Sequence, residues 1–330
     1  MIDTHPRRLF AIAALAATLA ATLAGLTSLL SGSVAIDASD LLAYLDGSLP
    51  ALETQVLADI RIPRTLAAFV TGAALALAGV LMQVLLRNPL ADPYILGLSG
   101  GAAVGALVSI TLGVGGWWLS GSAFSGALIS VALVFGIASR AGGWSTTHLL
   151  LTGVVISAGW GALINLLLAT SESTSVQGML FWLMGDLSQS HVGGPHVALL
   201  LLGALLSLRG ARTLNVLVRG DLLAASLGVS VPRVRLALFF GASTLTAMAV
   251  TTAGSIGFVG LVVPHMLRLL GARDHRLLIP FSLIVGGTLL VIADTLARTL
   301  LAPQQLPVGV ITALIGVPSF IAILRSSPQR

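Results

Sequence analysis

The chain has 330 residues, 56% of them hydrophobic and 9% charged, with a formal net charge of +5 and a mean hydropathy of +1.01. An ordinary soluble domain carries about 25% charged residues, so a water-soluble enzyme, a disordered chain and a fibrous chain are excluded, and a polytopic membrane protein remains. All 17 basic residues are arginine and cysteine is absent, which excludes a Walker loop with its phosphate-binding lysine, a lysine Schiff base, disulfides, iron–sulfur ligation and thiol catalysis.

A spanning helix needs about 20 apolar residues. Arg7 and Arg8 precede the apolar run Leu9 to Leu30, which is longer than the apolar core of a signal peptide and fits an uncleaved first span. Ser31 to Ile60 carries Asp37, Asp40, Asp46, Glu53 and Asp59 with no base and reads as an external loop. Thr65 to Leu86 is uncharged and forms the second span. The uncharged stretch from Asp92 to Arg140 is too long for one crossing and divides at Gly113–Gly116 into two. Thr147 to Thr170 is the fifth span, Ser171 to Ser190 a polar-to-amphipathic connection, and His191 to Leu208 the sixth span. Arg209 to Arg235 is the longest basic segment, loop-like with short helical stretches. Arg235 to Arg268 is interrupted by Gly254-Ser-Ile-Gly257 and gives a full seventh span and a short eighth. Leu277 to about Leu296 and Leu306 to Leu324 are the ninth and tenth.

Ten spans put both termini on one side, and arginine placement chooses the cytoplasm. That arrangement leaves 14 of 17 arginines inside and only Arg61, Arg64 and Arg298 outside. Because the arginines flank apolar runs, they speak for membrane orientation rather than for a nucleic-acid partner. Pro63-Arg64 followed by Gly72-Ala73 is echoed by Pro232-Arg233 followed by Gly241-Ala242. The echoes open the second and seventh spans, so the copies run in opposite directions, as in inverted-repeat transporters. The halves are about 1–190 and 191–330 of one membrane domain spanning 1–330.

Few polar residues lie within the spans. Asp294 and Arg298 stand four apart, acid first, and read as a local pair at a helix end. A proton relay is the competing reading, but no second buried carboxylate accompanies the pair. Asp92, between Pro89 and Pro93, reads as a helix cap. His148, His191 and His196 sit at span ends without ligand spacing. Gln83 and Asn165 suit hydrogen bonds between helices. Small-residue stripes such as Thr71 to Gly79 suit close helix packing, and Pro264 marks a candidate broken helix.

Several stretches resemble the FecCD/BtuC family, the permease subunits of type II ABC importers for iron–siderophore, haem and vitamin B12. They are Arg61-Ile-Pro-Arg64, Gly72 to Gly79, Gln83, Arg87-Asn-Pro-Leu-Ala-Asp-Pro93 with Ile95-Leu-Gly97, Leu214-Asn215, Gly220-Asp221, Leu227-Gly-Val229, Gly257 to His265, Asp294-Thr-Leu-Ala-Arg298, Leu306-Pro-Val-Gly309 and Gly316-Val-Pro-Ser-Phe320. The resemblance runs in order from about residue 55 to 325. It implies an all-α, BtuC-like fold of ten transmembrane helices in two inverted five-helix repeats.

It further implies a homodimer in the bacterial inner membrane, two ATPase subunits inside and a periplasmic binding protein outside. The permease itself would bind no cofactor and no metal, with ATP and Mg on the partner ATPase. By resemblance, Arg61, Arg64 and Arg298 receive acidic residues of the binding protein. The cytoplasmic loop of about 210–233 resembles the coupling helices that sit in the ATPase, with Asp221, Ala225, Leu227 and Gly228 at motif positions. Pro264, His265 and Arg268 would add to that interface. Ser145-Thr-Thr147 is similar to a cytoplasmic gate, placing Thr146 and Thr147 at the constriction, with Asn88 and Leu90 at a second one. Met179 to Leu187 resembles a short external helix, but the following Ser188-Gln189-Ser190-His191 departs from the siderophore branch. The expected cargo is iron(III)–siderophore, followed by vitamin B12 and haem. An ion-coupled secondary transporter and an intramembrane enzyme are the rival classes.

Overall fold

The computed structural model describes residues 5–140 and 146–326. Helices α1 (His5–Leu30), α2 (Ala38–Asp46) and α3 (Ala51–Gln55) are followed by α4 (Ile62–Leu85), α5 (Leu98–Thr111), α6 (Trp117–Arg140), α7 (Thr146–Thr170) and α8 (Ser173–Met184). Then come α9 (Gly194–Arg209), α10 (Ala211–Leu217), α11 (Asp221–Ser226), α12 (Val231–Ala253), α13 (Val259–Leu269), α14 (His275–Thr299) and α15 (Val308–Ser326). The described residues hold no strand. Apolar periodicity without aqueous relief forces this outcome, since helices satisfy every backbone group internally in lipid.

Each of the ten anticipated segments contains a helix. Six helical segments are long and apolar enough to cross a membrane, and α9 with α10 makes a seventh only as one span bent by 62°. The helical segments Leu98–Thr111, Val259–Leu269 and Val308–Ala322 are shorter.

Two expectations need correction. The acidic segment after α1 is not a loop: Asp37 caps α2 through a capping box with Asp40. The second long helix begins at Ala51 rather than Thr65, running through α3 and a π-helical stretch, Val56–Arg61, straight into α4. The connection after α7 contains a short helix, α8, as the resemblance over Met179 to Leu187 implies, although it starts earlier, at Ser173.

Helix α4 forms the centre of the molecule. Nearly all of its residues from Ala67 to Leu85 are buried, and it packs on α14, α12 and α13. Glycines permit this: a Cβ on Gly72 would overlap the backbone of Gly286, and one on Gly79 would overlap Gly260. Close backbone approach of this kind is how helices associate in lipid, where no hydrophobic drive acts between them. Helix α12 lies against α4 and also packs on α6 and α5. Each of α5 and α13 is preceded by a break and a left-handed residue, Gly97 (φ 70°) and Phe258 (φ 70°). The breaks meet, since the Ile256 N–H donates to the Tyr94 hydroxyl at 3.2 Å. Asp92 caps the short helix there by accepting from Tyr94 N at 2.8 Å, as its setting between prolines anticipates.

Candidate functional site

One polar constellation ties together α1, α4 and α14. Asp294 is fully buried, and its carboxylate is shared. Arg64 Nη2 lies 2.9 Å from Oδ1, and Arg298 Nε 3.1 Å from Oδ2. The reading of Asp294–Arg298 as a local pair is therefore incomplete, because the second arginine comes from a helix 230 positions away. The Arg64 Nη1 group also donates to Gln305 Oε1 at 2.9 Å. Arg298 reaches α1, donating to Ser28 Oγ at 2.9 Å and to Ser31 O at 3.3 Å. Arg61 donates to the carbonyls of Leu29 at 2.6 Å, Leu30 at 3.2 Å and Val34 at 2.5 Å. The first two are carbonyls that the end of α1 leaves without partners, and the third lies in the bend after it. The three expected docking arginines are thus gathered on one face, but inside the chain their heads are turned onto its own acceptors. Buried charges persist when paired and fully hydrogen-bonded, and here one carboxylate and a ring of carbonyls meet that condition.

At the opposite end of α4 lies a second constellation. Asp221 opens α11 and accepts from Arg235 Nη2 at 2.7 Å and Arg87 Nη2 at 3.3 Å. Arg87 follows α4 directly in a left-handed conformation (φ 48°). Helix α10 is held by Asn215, whose amide donates to Asp274 Oδ1 at 2.7 Å and whose Oδ1 accepts from His275 N at 3.0 Å. The Arg276 N–H and the Asn215 amide hold the Asp274 carboxyl below the ordinary carboxylate range. Pinned at both ends, α10 and α11 present apolar surface outward: Leu222 is 89% exposed and Leu227 62%. Ala225 and Gly228 are exposed beside them.

Pro264, His265 and Arg268 sit differently. Pro264 and His265 are buried, with the His265 ring 6.4 Å from that of Phe320, and Arg268 donates to Gln83 Oε1. They face α4 and α15 rather than sharing the surface of α10 and α11. Gln83 also donates to Leu261 O at 3.2 Å, which makes it the interhelical link anticipated for it, whereas Asn165 lies exposed on α7.

The gate residues occupy two exposed places. Thr146 and Thr147 open α7, half-buried and exposed respectively; Ser145 lies outside the described residues. Asn88 and Leu90 are exposed in the turn after Arg87, where Asn88 Oδ1 accepts from Leu90 N at 2.9 Å. Among the described residues no group of three His, Cys, Asp or Glu side chains is placed to hold a metal ion.

Sequence reasoning missed Arg87, Arg235, Gln305 and the Asn215–Asp274–His275 link. Arg87 stands in a quoted motif, yet nothing in spacing ties it to Asp221, 134 positions on. Arg235 was available as a signal, being an arginine at the inner end of a span with an acid nearby in sequence.

Comparison with known proteins gives the same reading. Residues 19–326 match the FecCD transport family. The hemin transport system permease protein HmuU of Yersinia pestis is 42% identical over 285 residues, covering 82% of this chain and 84% of that protein. The cobalamin import system permease protein BtuC of Halobacterium salinarum is 40% identical over 296 residues, covering 87% and 78%. A solved chain described as an inward-facing metal-chelate type ABC transporter is 30% identical, with a TM-score of 0.84, covering 95% of this chain and 98% of that one. With its buried central helix, its exposed α10–α11 pair and a match over nearly its whole length, this chain belongs to the FecCD transport family of permeases.

Proposed function

We propose that the chain is the membrane-spanning subunit of an ATP-driven importer that carries a metal chelate from periplasm to cytoplasm by alternating access. The observation that carries this reading is the α10–α11 pair: a segment anchored through Asn215 and Asp221 that leaves leucines exposed, and that we assign to the cytoplasmic side. Such a surface needs a partner, and the absence of lysine from the chain is in keeping with ATP being handled by that partner. Two copies of this chain, two ATPase subunits carrying ATP and Mg, and an external binding protein make up the proposed complex.

In this scheme ATP-driven closure of the ATPases moves α10 and α11, with Asp221, Ala225, Leu227 and Gly228 at the contact and Pro264, His265 and Arg268 supporting it from beneath. The Asp221–Arg87 ion pair carries that movement to the turn holding Asn88 and Leu90, and so to the gate completed by Thr146 and Thr147. Both termini lie in the cytoplasm and all ten segments cross or enter the inner membrane, the three short helices doing so as part-depth elements beside breaks. We read the halves as inverted repeats; the pairing of α4 with α14 and α13, against α12 with α6 and α5, supports this.

Outside, we propose binding-protein docking at the face built on Arg61, Arg64 and Arg298, whose three positive charges exceed the one negative charge of Asp294 although their heads are buried against this chain's own acceptors. Arginine fields of this kind steer acidic partners. The association rate of the binding protein, followed by surface plasmon resonance, should fall about tenfold as ionic strength rises from low to high; a flat dependence removes the arginines from docking.

For cargo we propose an iron(III)–siderophore, with haem or vitamin B12 as the second choice, favoured by the hemin and cobalamin functions of the two relatives named above. The deciding experiment reconstitutes the complete complex in liposomes and measures ATP-dependent uptake of ferric siderophore, hemin and cobalamin. Accumulation of one, abolished when the ATPase is inactive, is expected. Accumulation driven by a proton or sodium gradient with no ATPase present would overturn the assignment.

A further inference from the structure

A groove of about 510 Å³ runs between α9 and α12, floored by Leu81 of α4 and bounded by Leu202, Leu206, Ala237 and Thr244. Its lining is apolar in chemistry as well as composition. Of the three hydroxyls on its lining, those on α9 and α12 are satisfied by their own helices, Ser207 donating to Gly203 O at 2.6 Å and Thr244 to Phe240 O at 2.8 Å, and the third, Thr213, stands on α10 at the mouth. Along α9 and α12 the groove therefore offers no free side-chain polar group that a soluble ligand would need, and both helices are long and apolar.

The mouth of the groove has the opposite character. The 62° bend between α9 and α10 falls at Gly210, which lines the groove. Arg209 precedes it, three residues after Leu206 and seven after Leu202, so helical periodicity carries it onto the lining stripe. Arg233 stands four residues before Ala237 and eight before Gly241, on the corresponding stripe of α12. Arg212 adjoins the lining residue Thr213. All three arginines are exposed, and none belongs to the ion pairs formed among the described residues.

We propose that this groove binds one anionic phospholipid of the inner leaflet, an acyl chain lying along α9 and α12 and the phosphate held by Arg209, Arg212 and Arg233. Basic clusters at the cytoplasmic mouth of an interhelical groove recognise anionic headgroups, and arginine forks suit phosphate oxygens. The orientation rests on the importer reading above, but the binding itself is tested without transport. The lipid would brace the junction between α9 and α10, and so the start of the segment that carries α11.

The test uses the full-length protein, delipidated in detergent and titrated with phosphatidylglycerol, cardiolipin or phosphatidylcholine under native mass spectrometry. The wild type should retain one anionic lipid per chain at least tenfold more tightly than phosphatidylcholine. Replacing the three arginines together (R209Q, R212Q and R233Q) should erase that preference, and Thr244→Trp, which fills the groove and keeps every arginine, should reduce retention as strongly. Arg273→Gln with Arg276→Gln, exposed arginines that do not line the groove, should change nothing. Equal retention in all variants overturns the proposal, as does an equal loss in the Arg273/Arg276 control, which would make the attraction a diffuse property of the inner face. Dimer dissociation by Thr244→Trp with lipid retention unchanged would make the groove a seam between two copies, and also overturns it. A complex that moves no chelate would sink the importer reading and leave these measurements standing.

Discussion

Asp294 is the fully buried acceptor shared by Arg64 and Arg298. Two arginines face its one buried carboxylate, and removing one member of a buried ion group costs about 3–5 kcal/mol because the charges left behind have no solvent. Asp294→Asn should therefore destabilise the protein by about that amount, read as a fall in melting temperature in detergent; an unchanged value would mean that water reaches the cluster. Half of this arrangement was legible in the sequence. The Asp294–Arg298 spacing announced itself as a helical pair, and the breach of the arginine rule flagged Arg61, Arg64 and Arg298 as a group. The Arg64–Asp294 contact was not legible, because pairing across 230 positions leaves no local pattern, and neither was the inward turn of Arg61 onto the end of α1.

At the scale of elements, the chain is governed by how closely helices approach. The Gly79–Gly260 contact sets the distance between α4 and α13, and a side chain there meets backbone rather than a flexible tip. Gly79→Val should push the helices apart and abolish the folded monodisperse species on size-exclusion chromatography, whereas Gly25→Val, on α1 with open space around it, should elute as wild type. The inner helix pair gives a functional counterpart. Arg87→Gln should lower the number of chelates imported per ATP hydrolysed about tenfold, with Arg87→Lys restoring much of it, since a lysine keeps the charge and loses only the fork. Simultaneous measurement of uptake and phosphate release decides the matter; a ratio equal to wild type removes Arg87 from transmission. The apolar runs made the long helices readable, and the glycine interruptions marked the short eighth segment. The helical acidic arm after α1 escaped notice because five acids in a short stretch read as solvated loop, when Asp37 and Asp40 were serving as caps.

For the molecule as a whole, absence of cysteine makes topology directly measurable. A single cysteine at Ser226 on α11 should react with an impermeant maleimide only from the cytoplasmic side, and one at Ser39 on α2 only from the periplasmic side. Both labelling from one side would rearrange the whole proposal. Composition made the membrane class readable before any residue was considered, and the motif order made the family readable. The packing centre was not: α4 looks like any other apolar run, and only its glycine-rich stripe hints that proteins rather than lipids surround it.

That enclosed position has a consequence for biogenesis. During synthesis α4 emerges among the first segments, carrying Arg64 and Gln83, while Asp294 and Arg268 follow 230 and 185 residues later. At elongation rates of about 5–20 residues per second the arginine waits roughly 10 to 50 seconds for its counter-ion, held near the end of its span, where a long side chain can reach the interface. The cluster can therefore close only once α14 arrives, and truncation anywhere before Asp294 should yield a product that is degraded rather than a smaller stable bundle.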